Sequence, residues 1–120
     1  MKLYKNFNIS NNHLKSIILI GNFDGVHTGH QKLFKLANKY KKKYKIKIGV
    51  LTFNPMRKMF FNKDIKNFKI SSVSKKNQIL KTLGVDFVIT QKFDKKFSEI
   101  KSDFFIKEIL SKKLKAKYIF

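Results

Sequence analysis

Residues 16–53 carry three segments whose hydrophobic periods differ, and together they narrow the fold more than anything else in the chain. Residues 16–21 hold the apolar run Ile17-Ile18-Leu19-Ile20, closed by Gly21. A strand that is apolar on both faces suits a parallel sheet covered on both sides. Over residues 27–44 the apolar positions become Leu33, Phe34, Ala37 and Tyr40, three and four apart with lysines among them. That is the period of a half-buried helix with a solvated outer face. Residues 46–53 are apolar again, so strand, helix and strand within about 40 residues predict a βαβ unit and an α/β fold.

The rest of the 120 residues repeats this logic. Residues 54–70 include the only proline, Pro55, and read as a long loop, a kind of segment that often carries function. Ile79, Leu80 and Leu83 predict a second helix, with Ser74 as its N-cap and Gly84 as its stop. A third strand covers 85–89. Phe93, Phe97 and Ile100 suggest a short helical turn. Phe105, Ile106, Ile109, Leu110 and Leu114 mark a further helix capped by Ser102, and Tyr118-Ile119-Phe120 opens a fourth strand. One domain is expected, since 42% hydrophobic content with 13 Phe is enough to close a core.

Zero cysteines exclude a disulfide framework and a Cys-ligated zinc or iron–sulfur site, and three histidines are too few for a dedicated metal cage without carboxylates. No metal-ligating residue is assigned. The longest aliphatic run, Ile17 to Ile20, falls far short of the roughly 20 residues of a membrane span, and no leader precedes it; a cytoplasmic protein without a membrane partner is expected. A net charge of +21 invites a nucleic-acid reading. Yet of 28 basic residues only Arg57 is arginine, and the abundance of Lys, Asn, Ile, Phe and Tyr follows A/T-rich codons. Recognition of bases or phosphates would favour Arg's planar fork. A Lys-rich nucleic-acid-binding domain, kept as the alternative from another class, would also interleave its aromatics with exposed lysines; here the Phe residues follow core spacing instead.

Three of the five glycines and two of the three histidines lie in Gly21-Asn22-Phe23-Asp24-Gly25-Val26-His27-Thr28-Gly29-His30. The segment joins a buried strand to a helix N-terminus, where free N–H groups and the helix dipole attract phosphate. His27 and His30, three apart, project from one helix face, and Gly29 between them lets a base or phosphate approach the backbone. Neither a dinucleotide GxGxxG nor a P-loop fits the spacing. On this His-x-Gly-His turn, the chain resembles the HxGH nucleotidyltransferase superfamily. With Phe23-Asp24-Gly25-Val26-His27-x-Gly29-His30-Gln31-x-Leu33, it resembles the FAD synthetase (FMN adenylyltransferase) module of the bacterial bifunctional riboflavin kinase/FAD synthetases. Thr52-Phe53-Asn54-Pro55 with Phe60-Phe61, Gly84-Val85-Asp86-Phe87-Val88, Phe93-Asp94-x-x-Phe97, and the stretches from Phe104 to Leu110 and Leu114 to Ile119 continue the likeness in order. Met56 and Arg57 depart from it where the family often has His and Pro.

The resemblance implies a Rossmann-like parallel sheet and transfer of AMP from ATP to FMN, giving FAD and pyrophosphate. It implies His27 and His30 as catalytic residues and Gly21, Asn22, Phe23, Asp24, Gly29 and His30 around ATP. Asp24 is expected to satisfy the N–H groups of the turn rather than enter the chemistry. Pro55 and Phe61 are implied near the flavin, and Mg²⁺ is expected to arrive with ATP. Nucleotidyl transfer to another phosphorylated small molecule is the alternative within the enzyme class. Family members continue beyond the equivalent of Phe120 into further nucleotide-binding segments and a riboflavin kinase barrel. Residues 1–120 are therefore expected to form the N-terminal part of an adenylyltransferase domain, a truncated unit with the kinase absent. His13, in polar sequence, is given no function.

Overall fold

The computed structural model describes residues 1–23, 28–54 and 73–120, with Thr28, Gly29 and Val73 described by backbone alone. Five strands form one sheet among these residues: β1 (Lys2–Tyr4), β2 (Ile17–Ile20), β3 (Ile48–Asn54), β4 (Phe87–Lys92) and β5 (Tyr118–Ile119). Their order is β1-β4-β3-β2-β5 and every pairing is parallel. The α/β Rossmann-like architecture expected from the sequence is the one observed.

Alternation along the buried strands sends side chains to two cores. Ile17, Leu19, Ile48, Val50 and Val88 face a layer made by α1 (Thr28–Tyr44) and α2 (Val73–Thr82), through Phe34, Ala37 and Leu80. Ile18, Leu51, Phe87 and Ile89 face the opposite layer, where Leu110 and Leu114 close the core. That layer holds α3 (Lys95–Ser98) and α4 (Ser102–Phe104), which runs directly into a π-helical stretch, Phe105–Lys113. Helices on both faces of a parallel sheet are what the continuous apolar strands require. Because the chain steps from β2 to β3 and β4 on one side and returns to β5 on the other, the strand order reverses beside β2. Such a reversal opens a crevice at the carboxyl ends of the strands.

Several local expectations needed correction. Ser74 lies inside α2, which begins at Val73. Ser102 is likewise the first residue of α4, whose N-cap is Lys101, and no side-chain cap bond forms there. The expected last helix is present, with wider turns than an α-helix: the Leu114 N–H donates to the Ile109 carbonyl at 2.9 Å, five residues back. Turns of four to five residues bring Phe105, Ile109, Leu110 and Leu114 to the sheet, whereas Ile106 is 55% exposed. Gly84 does end α2, at φ +91, where a Cβ would collide with the Asn38 side chain.

The largest omission is at the N-terminus. β1 extends the sheet beside β4, and His13, which the polar sequence around it left without a role, is buried beneath it. Its ring stacks on Phe87 at 4.6 Å and its Nδ1 lies 2.6 Å from the Tyr4 hydroxyl. The Lys41–Lys43 run at the end of α1 is also only partly solvated. Lys41 Nζ donates to the Gly84 carbonyl and to Asp86 Oδ2, both at 2.9 Å, and Asp86 Oδ2 accepts the Ile48 N–H as well. The Gly84-Val85-Asp86 block thus ties α1 and β3 to the start of β4. No helix among the described residues is long and apolar enough to cross a membrane.

Candidate active site at the carboxyl ends of the strands

Of the predicted site residues, Gly21, Asn22, Phe23, Gly29 and His30 fall within the described residues; Asp24, His27, Pro55 and Phe61 lie outside them, as does most of the loop expected over 54–70. The last sheet bond on β2 is donated by the Gly21 N–H to the Leu51 carbonyl at 3.0 Å. Beyond it the chain leaves the sheet. A Cβ on Gly21 would stand 3.3 Å from ring carbons of Phe23, so the turn closes around that ring.

Phe23 adopts φ 53, the left-handed region, where a side chain other than glycine costs about 1–3 kcal/mol. Its ring offsets this strain by burial. It is 3% exposed, packed on Phe34 at 5.2 Å and edge-on to the His30 imidazole at 4.9 Å. What Phe23 can offer a nucleotide is therefore its main chain, while its ring props His30. His30, the third residue of α1, is half-buried and stands in the first turn, where helix N–H groups and the positive end of the dipole gather.

Two residues that sequence reasoning passed over hold this turn. The Thr52 hydroxyl on β3, itself buried, donates to Asn22 Oδ1 at 3.3 Å, and Lys76 Nζ on α2 donates to the Asn22 carbonyl at 3.2 Å. Thr52 had a signal, its place at the head of the Thr52-Phe53-Asn54-Pro55 motif, though no site role was assigned to it. Lys76 had none.

On the other face of the same strand ends is a cavity of about 430 Å³ lined by Ile20, Phe53, Phe93, Phe97, Phe105 and Ile119, among others. Its phenylalanines touch edge to face: Phe53 to Phe93 and Phe93 to Phe97 at 5.6 Å, Phe97 to Phe105 at 5.9 Å. Asp94 positions the Phe97 ring by capping α3, its Oδ1 accepting the Phe97 N–H at 2.8 Å. An apolar, aromatic-walled space of this size suits a flat ring system.

The family model for FAD synthetase matches residues 9–120. The chain belongs to the FAD synthetase family. It is 34% identical over 120 residues to a protein named bifunctional riboflavin kinase/FMN adenylyltransferase from Buchnera aphidicola subsp. Schizaphis graminum, covering 99% of this chain and 38% of that one. A protein of the same name from Escherichia coli K12 is 31% identical over 103 residues, 86% of this chain and 33% of its own. The chain thus spans less than two-fifths of the length of either relative. A crystal structure described as a macrolide-efflux protein from Streptococcus pneumoniae superposes with a TM-score of 0.82 at 29% identity, covering 98% of this chain and 45% of that one.

Proposed function

We propose that the protein transfers the adenylyl group of ATP to FMN, giving FAD and pyrophosphate, with residues 1–120 as the front part of the adenylyltransferase unit. The observation that carries this reading is the histidine-bearing first turn of α1 at the switch point of the sheet, with an aromatic cavity at the same strand ends. Membership of the FAD synthetase family supports the choice of acceptor.

A terminal phosphate oxygen of FMN forms the new bond to the α-phosphorus of ATP, and the bond from that phosphorus to the bridging oxygen of pyrophosphate breaks. A phosphate monoester, with its second pKa near 6, is already anionic at neutral pH, so no strong general base is required. The site's task is positioning and charge relief. His27 and His30 stabilise charge on the phosphoryl oxygens, while the main chain of Gly21, Asn22, Phe23, Asp24 and Gly29 surrounds the nucleotide. Mg²⁺ enters on ATP as part of that substrate. Pro55 and Phe61 meet the flavin, and the cavity lined by Phe53, Phe93, Phe97 and Phe105 receives its ring system.

The test is incubation of the full-length protein with FMN, ATP and Mg²⁺, following both products by chromatography. Equimolar FAD and pyrophosphate are expected. Pyrophosphate released only with a different phosphorylated acceptor would transfer the reading to another nucleotidyl transfer, and release of neither product would remove it.

A further inference from the structure

Asn22 is held from two elements distant in sequence, its carbonyl by Lys76 and its side chain by Thr52, and this grip points past the residues of the His-x-Gly-His turn itself. Lys76 stands 54 residues along the chain from the carbonyl it binds at 3.2 Å. It is half-buried, whereas Lys32, Lys35 and Lys39 on α1 and its own neighbour Lys75 are exposed. Its partner carbonyl belongs to the peptide that leads into Phe23, the residue held at φ 53. A hydrogen bond from an ammonium restrains the carbonyl, so it favours the peptide orientation on which the left-handed Phe23 depends. Phe23 in turn sets the edge-on contact to His30 at 4.9 Å. Thr52 fixes the Asn22 side chain from the sheet, leaving the main chain to Lys76.

We propose that Lys76 is a positioning residue for the nucleotide phosphates: through the Asn22 carbonyl it holds Phe23 in its left-handed form and thereby aims His30. This rests on the adenylyl-transfer reading above. The strand pairing of β2 with β3 ends at Gly21 and does not depend on Lys76, so losing the ammonium releases the turn and leaves the sheet intact. Arginine, equally charged and able to donate to a carbonyl, should preserve part of the grip.

The experiment compares Lys76→Met and Lys76→Arg with the wild-type full-length protein in FAD synthesis. Lys76→Met should lower kcat/KM for MgATP about 10- to 100-fold with KM for FMN changed less than about two-fold, since misplacement of one turn affects the nucleotide and not the acceptor. Lys76→Arg should recover a large part of that loss. A Lys76→Met protein with the wild-type kcat/KM for MgATP overturns the proposal, as does an equal loss for both substrates that arginine does not rescue. If the wild type makes no FAD, the adenylyl-transfer reading fails, and calorimetric titration with MgATP decides this one separately. Weaker binding by Lys76→Met than by wild type upholds it; equal binding, or none by either protein, overturns it.

Discussion

The two layers packed on the sheet solve the same burial problem with different materials. The α1/α2 layer uses two regular helices and fills its core with Leu80, Ala37 and Phe34, all at most 1% exposed, with the Phe23 ring packed on Phe34. The opposite layer uses the four-residue α3, the three-residue α4 and a π-helical stretch, and fills its carboxyl-end half with Phe53, Phe93, Phe97 and Phe105. Aliphatic side chains interdigitate to the density of an organic crystal. Rings that meet edge to face on short, wide-turned helices leave a gap, here about 430 Å³. One layer is thus a rigid mount for the His30 turn, and the other leaves room for a ligand.

The largest effect should come from breaking the mount. Phe34→Ala, which removes a ring on α1 that is 1% exposed and packs on Phe23, is expected to cost about 3–5 kcal/mol in urea unfolding. If the layers differ as described, Phe97→Ala, at a half-buried ring on the cavity wall, should cost clearly less. Equal losses would erase the distinction.

Next in size is the chemistry that the mount carries. His30→Ala should slow FAD formation by about 10²-fold or more, the scale of losing one charge-stabilising donor, while unfolding stays cooperative. Near wild-type turnover would deprive the α1 turn of its proposed role. In the aromatic layer the same Phe97→Ala protein should show a KM for FMN raised by about 3- to 10-fold with KM for MgATP unchanged, as expected for loss of one ring contact. Should the nucleotide KM move instead, the cavity has been assigned to the wrong substrate.

The smallest expected effect lies under β1. Burial lowers the pKa of His13 from its ordinary 6.5, and the positive charges of Lys47, Lys2 and the N-terminus push the same way against Asp86. The folded state therefore binds His13's proton less readily than the unfolded state. Its stabilising contribution is complete above about pH 6.5 and is lost as pH falls below that value. Unfolding midpoints measured from pH 7.5 to 5 should drop more steeply for the wild type than for His13→Phe. Parallel profiles would show that His13 is not what titrates.

Residues whose partners lie close in sequence could be read directly. The strands at β2, β3 and β5, the helix α1, the stop at Gly84 and the placing of Gly21, Asn22, Phe23 and His30 at a strand-to-helix turn all follow from periods of two and 3.6 and from the chemistry of glycine. Asp24 and His27 were read from the same turn, Pro55 and Phe61 were implied by the family resemblance, and all four lie outside the described residues. The helix expected over residues 105–114 is present, but its wide turns and the exposure of Ile106 could not be read from its apolar set.

The sequence by itself determined that this chain makes a parallel α/β sheet and where along it the strand-to-helix turn that bears His30 must come, because those properties are set by local spacing. Tertiary structure alone decided which of 28 basic residues matter. Lys41 reaches Asp86 across 45 positions and Lys76 reaches Asn22 across 54, and nothing in the neighbourhood of either lysine distinguishes it from the solvated ones. Likewise β1 and His13 gain their places only against Phe87 and the Tyr4 hydroxyl. A charge or a three-residue strand has no period of its own, so its role is fixed by the surface the rest of the chain brings to it.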